Sequence, residues 1–296
     1  MTASLVLDAK NIVGESLVWH PGEAALYWVD IVGRTIHRLD PATGDRRSWP
    51  TPELPTSIGL RKTGGFIVGL RQRVAFWTPG GAFETFVIPE PDRPDNRLNE
   101  GLVAPDGSFW VGTMQDNVAP DGQPKPMTAD TGAVYRIAPN GTVTQLTDAD
   151  FGITNTMVWT DDGHFIVADT TRNTLFRFRH DPVTGRLSDR TPWGKPLDRG
   201  LPDGSTRDRA GIVYNARVVG GSAIARIGLD GALLGYFDLP CSWPTSCIFG
   251  GPALTTLYVS SARFGMSAEH LGAHPLEGAL FALDTATEGI PANSFG

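Results

Sequence analysis

The sequence has almost no cysteine. Cys241 and Cys247 are the only two among 296 residues, too few to build a disulfide framework. Cations are also in short supply: 25 Lys and Arg face 32 Asp and Glu, a formal charge of −7, with no basic run anywhere. Phosphate backbones and anionic lipid are bound by clustered cations, so neither nucleic acid nor a membrane surface is an expected partner. No apolar run approaches the roughly 20 residues that a membrane-spanning helix needs. The opening stretch, Met1-Thr2-Ala3-Ser4-Leu5-Val6-Leu7-Asp8, has no basic start and no long apolar core, so it does not read as a secretory signal. A cytoplasmic location is the expectation. The six histidines fall mostly in turns, outer strands or a late insertion. They form neither a Ser-His-Asp pattern nor a structural-zinc spacing.

What the chain does have is turns and repetition. It carries 35 Gly and 23 Pro, natural for a protein with many reversals. A block of about forty residues recurs six times. Each copy starts small or polar, runs apolar, turns at a pair such as Asp106-Gly107, Asn140-Gly141, Asp162-Gly163 or Asp230-Gly231, and runs apolar again. Trp19, Trp28, Trp110 and Trp159 recur at strand positions, which reads as packing between blades. Short-strand repeats of this period are propeller blades, each unable to bury its faces until neighbours stack on them. The reading is therefore an all-β, six-bladed β-propeller occupying residues 1–296 as one domain. The spare apolar stretch Leu5-Val6-Leu7-Asp8-Ala9 is expected to close the last blade as its outer strand, which protects an otherwise unpaired edge.

Two stretches break the period. Met114 to Asp130 interrupts the third blade and reads either as a lid or as a tolerated surface loop. Ala262 to Glu277 interrupts the sixth and reads as a surface excursion holding a short helix capped by Ser267.

The innermost strand of each blade lines the central channel, so the residues opening those strands surround one mouth. In order they are Glu15 with Ser16, Thr56 with Ser57, Asn99 with Glu100, Asn155 with Thr156, Asp203 with Gly204, and Thr245 with Ser246. A buried carboxylate costs several kcal/mol unless something compensates it. A ring of carboxylate and amide oxygens therefore points to a cation. Glu15, Asn155 and Asp203 offer oxygen ligands only, which suits one divalent ion: Ca²⁺, Mg²⁺, Mn²⁺, Fe²⁺ or Zn²⁺.

Six segments carry a family resemblance: Val13-Gly14-Glu15-Ser16-Leu17-Val18-Trp19, Arg97-Leu98-Asn99-Glu100-Gly101, Trp110-Val111-Gly112-Thr113-Met114, Ile153-Thr154-Asn155, Pro202-Asp203-Gly204 and Cys247-Ile248-Phe249-Gly250-Gly251-Pro252. With these the chain resembles the family of gluconolactonase, regucalcin (senescence marker protein) and luciferin-regenerating enzyme. The resemblance implies one catalytic divalent metal held by Glu15, Asn155 and Asp203. It implies that Arg97, Asn99 and Glu100 face a sugar lactone, which is opened to its aldonic acid. Asp203 is then both ligand and catalytic base. The alternatives are a metal-dependent hydrolase of another ester or an organophosphate, and a calcium-binding regulator without catalysis. Two positions depart from the family's pattern. Glu100 stands where Asp is more frequent, and its longer reach implies a different sugar. Thr156 stands where Gly commonly follows the Asn, and its β-branch implies a different local backbone.

Overall fold

A computed structural model describes residues 2–296. The six repeats fold as six antiparallel sheets of four sequential strands, apart from one exchange at each chain end. Blade 1 is Gly14–His20, Ala25–Asp30, Thr35–Leu39 and Arg46–Pro50, and blade 2 is Ser57–Arg61, Phe66–Gly69, Val74–Trp77 and Glu84–Val87. Blade 3 is Asn96–Val103, Phe109–Gln115, Val134–Ile137 and Val143–Gln145, and blade 4 is Thr154–Trp159, His164–Asp169, Thr174–His180 and Leu187–Pro192. Blade 5 is Leu201–Arg207, Val213–Val218, Ala223–Ile227 and Leu233–Asp238, and blade 6 is Pro244–Gly250, Thr256–Ser261 and Leu280–Asp284. The first strand of every blade touches the first strands of its two neighbours, which closes the ring into a β-propeller. The second strands carry the fully buried faces, with Trp28, Ile67, Trp110, Ile166, Ala216 and Val259 wedged between sheets.

Turn chemistry follows the sequence. Gly107, Gly141, Gly163 and Gly231 all take φ near +80°, a region that costs glycine nothing. The aspartates opening the two Asp-Pro turns bond their own loops. Asp40 accepts from the Ala42 and Thr43 amides, and Asp181 accepts from Val183 and Thr184. Both are turn residues and bind nothing else there.

Closure takes place at both chain ends. Ser4–Leu7 pairs antiparallel with Leu280–Asp284 and supplies the outer strand of blade 6, as expected of a spare apolar stretch before the first blade. The C-terminal tail was not legible as structure. It leaves blade 6, ties Arg209 to Glu288, and passes under the channel. It ends as a short strand, Ser294–Phe295, parallel to Ser57–Arg61 of blade 2. On the way Ile290–Asn293 join Leu17, Ile58, Leu102, Met157 and Ile248 around an apolar cavity of about 430 Å³. That cavity occupies the far end of the channel and contains no acid among its lining residues. Phe295 is 4% exposed, against Phe76 and Phe86. Phe295→Ala is expected to cost about 3 kcal/mol, read as a lower midpoint in urea unfolding. An unchanged midpoint would show that the tail contributes nothing to closure.

Both insertions project from the mouth where the inner strands begin. The sixth-blade insertion holds the one helix of the described residues, Ala268–Ala273, with Ser267 accepting from the His270 amide. The third-blade insertion does not lie flat on its own blade. Its Val118 is buried in the apolar cluster shared by blades 1 and 2. Its residues 121–124 face Val32 of blade 1 and residues 263–266 of the other insertion, so the two insertions meet.

Candidate active site

Five of the six inner strands slip register against their neighbour near the mouth, between Glu15 and Val18, Leu98 and Gly101, Asn155 and Met157, Pro202 and Ser205, and Pro244 and Cys247. Blade 2 alone pairs without a slip. An extra residue of this kind breaks the strict alternation of faces and re-aims side chains. Four of the five slips hold a residue of the expected site or lie directly beside one.

Glu15, Arg97, Asn99, Glu100, Asn155 and Asp203 are all buried, between 5 and 9% exposed. Glu15, Glu100 and Asp203 lie within electrostatic reach of one another, and Glu15 and Asp203 lie within reach of Arg97. Burial, then the charge of Asp203, pushes Glu15 well above the usual carboxylate range, and the two carboxyls hydrogen-bond. Burial, then Glu100, does the same to Asp203. Burial, then Glu15, raises Glu100 to about 8. Three acids thus share one buried mouth with two arginines: Arg97 acts on Glu15 and Asp203, and Arg217 acts on Asp203. Burial lowers the pKa of each arginine to about 10.

Asn155 joins this cluster through its neighbours. Its Oδ1 accepts from Asn99 Nδ2 at 3.0 Å, and its Nδ2 donates to Thr170 Oγ1 at 2.8 Å. Asn99 Oδ1 accepts from Arg97 Nη1 at 2.7 Å. The remaining Arg97 contacts were invisible in sequence. Nη1 also donates to the Leu98 carbonyl, while Nε and Nη2 both donate to Asn117 Oδ1. Four of the guanidinium's five N–H groups are therefore committed within the protein, leaving one on Nη2. Buried Asp116 stands 3.9 Å from Arg97 and pairs with Arg71 of blade 2. Asp116 and Asn117 both belong to the third-blade insertion, so that segment is anchored on the site itself.

Thr156 takes φ +54°. It does so despite its β-branch. Such a conformation costs of order 1–3 kcal/mol for a non-glycine residue. Ser16, directly after Glu15, is also left-handed at +49°, and its Oγ accepts from the Ile58 amide of blade 2. Beneath Asp203 lie two more residues that the sequence did not single out. Asn215 Nδ2 donates to the Asp203 carbonyl at 3.1 Å. Arg217, 1% exposed, holds Asn215 Oδ1 through Nη1. Only an alternating Asn-x-Arg pattern on a second strand could have flagged them.

Among the described residues no group of three or more His, Cys, Asp or Glu side chains is arranged to hold a metal ion. The set expected from the sequence is of another kind, two carboxylates and one amide. Its chemistry fits a hard cation, since three buried acids outnumber the two arginines that act on them and a divalent charge would offset the excess.

With the geometry in hand, comparison with known proteins is informative. A family model described as the SMP-30/Gluconolactonase/LRE-like region matches residues 13–263. A pentonolactonase, XacC, of Haloferax volcanii is 35% identical over 300 residues, covering 98% of this chain and 97% of that protein. A 6-deoxy-6-sulfogluconolactonase of Pseudomonas putida is 33% identical over 287 residues, covering 95% and 94%. The crystal structure of a calcium-binding protein, regucalcin, from Agrobacterium tumefaciens superposes with a TM-score of 0.91 at 25% identity, covering 100% and 97% of the two chains.

Proposed function

The chain belongs to the SMP-30/gluconolactonase/LRE-like family, and from that premise we propose that it hydrolyses sugar lactones to aldonic acids with the help of one divalent metal ion. The observation that carries this is the meeting of Glu15, Glu100 and Asp203 in one buried mouth, where three acids outnumber the two arginines that act on them, Arg97 and Arg217. A structural ring needs no such cluster. Burying these acids opposes folding, and a site that binds a cation and handles protons is the physical reason to retain them.

Glu15, Asn155 and Asp203 would hold the ion, which when bound supplies positive charge to polarise the lactone carbonyl. Asp203 accepts the proton of the attacking water. The free Nη2 hydrogen of Arg97 donates to the lactone, the kind of charge-assisted bond that fixes orientation. Asn99 is held by Arg97 and by the Thr154 carbonyl, which presents a fixed polar wall to the sugar hydroxyls. Glu100 accepts only from its neighbouring Gly101 amide, leaving one carboxyl oxygen for a substrate hydroxyl. The relatives named above support five- and six-carbon lactones as the substrate class.

The test is a panel of glucono-, xylono-, arabinono- and galactonolactone, followed by acid release before and after chelation, with Ca²⁺, Mn²⁺, Zn²⁺ or Mg²⁺ added back. Turnover is expected to disappear with the ion and to return with at least one cation. Full activity after complete metal removal would overturn the mechanism. The name of the Agrobacterium neighbour favours a second reading, a calcium-binding protein without turnover. Tight Ca²⁺ binding together with no acid release from any lactone would select it.

A further inference from the structure

Asn155 and Asp203 sit on adjacent blades, and nothing in strand pairing fixes the distance between them: each lies in or beside a register slip. Two hydrogen-bonded bridges do that work instead. In the first, Asn155 Nδ2 donates to Thr170 Oγ1 at 2.8 Å, and that hydroxyl donates to the Pro202 carbonyl at 2.7 Å. In the second, Thr156 Oγ1 donates to the carbonyl of Asp203 itself at 2.5 Å. The Thr156 hydroxyl also lies 2.9 Å from Ser205 Oγ and accepts from Asn215 Nδ2 at 3.2 Å. The peptides on both sides of the Asp203 Cα are therefore tied to blade 4.

Thr156 reaches this position only because its backbone is left-handed at φ +54° with the side chain fully buried. A glycine would take that backbone without strain and would lose the bridge. A strained residue persists where its surroundings over-determine it, and such residues gather where geometry matters for function.

We propose that Thr156 is a positioning residue: its hydroxyl bridges blades 4 and 5 and sets the Asp203 carboxylate against Asn155. This rests on the reading of the site given above. The bridge acts on the side chain of Asp203 through its peptide, so its loss loosens the carboxylate without removing it. Catalytic geometry is sensitive to displacements of this scale, with about a 10²-fold loss for 1 Å.

The experiment uses the full chain with Thr156→Gly, Thr156→Val and Thr156→Ser, measuring Mn²⁺ affinity by calorimetry, kcat and KM on the best lactone, and thermal unfolding. Thr156→Gly relieves the backbone and deletes the hydroxyl, so it should melt no lower than wild type yet bind Mn²⁺ and turn over at least tenfold more weakly, with KM changed less than kcat. Thr156→Val keeps the strain and should lose both functions and stability. Thr156→Ser restores the hydroxyl and should recover most of the affinity and rate. A Thr156→Gly protein that binds Mn²⁺ and turns over like wild type overturns this inference alone. A wild type that neither binds a divalent ion nor opens any lactone overturns the functional reading, and this inference with it.

Discussion

Asp203→Asn is expected to lower lactone turnover by about 10²–10⁴-fold, the range a positioned general base contributes, while raising the melting temperature of the metal-free protein. The two effects have one cause. Asp203 is buried beside Glu15 and Glu100, and its carboxyl is held well above its ordinary range by burial and by Glu100. In the absence of a cation that arrangement opposes folding. The amide has nearly the same shape, removes the cost of keeping that carboxyl neutral in the mouth, and leaves the backbone grips of Thr156 and Asn215 on the Asp203 carbonyl intact. Turnover falls because an amide cannot take a proton from water and is a weaker oxygen donor to a cation. Paired assays of kcat/KM and of chelated thermal unfolding check both halves. Retained turnover would remove Asp203 from the chemistry. A lower metal-free melting temperature would mean that the carboxylate is held for stability rather than for function.

Much of the ring was legible because blade formation is local. Each apolar run lies within one strand, and each Asp-Gly or Asn-Gly turn carries the positive φ in its own glycine. Leu5-Val6-Leu7 stood as a spare apolar stretch before the first blade and pairs as the edge strand, and Ser267 capped its helix as expected. What escaped depends on contacts that leave no periodic trace. The tail around Ile290-Pro291-Ala292 has no alternation to read, since its course is fixed by partners in blades 2, 3 and 5. The hold of Asn117 on Arg97 joins residues from an insertion and an inner strand, and no motif links them. Thr156 shows the limit from the other side. Its β-branch argues against a left-handed backbone, but three buried partners on blade 5, the Asp203 carbonyl, Ser205 and Asn215, outweigh that local preference.

In chelator, the protein is expected to lose stability as pH rises. Glu100 goes from an ordinary value of 4.5 to about 8 in the folded chain, first through burial and then through Glu15. Between those values the folded state holds a proton that the unfolded chain has released. Stability is therefore fully present below about 4.5 and is lost as pH climbs through about 8. Glu15 and Asp203 move in the same direction and steepen the slope. Several kcal/mol at most is at stake for Glu100, roughly 5–10 °C in melting temperature for a chain of this size. Glu100→Gln keeps the length of the side chain and never ionises, so it should flatten much of the slope and melt higher than wild type at pH 8. Thermal unfolding in chelator from pH 5 to pH 8 decides this. A flat wild-type profile, or one that falls toward acid, would show that the three carboxyls do not share a desolvated mouth. Repeating the series with saturating Mn²⁺ tests the compensation directly. A cation beside these acids favours their ionised forms, so the alkaline loss should disappear, and any remaining pH dependence should reverse toward instability in acid, where protons displace the ion.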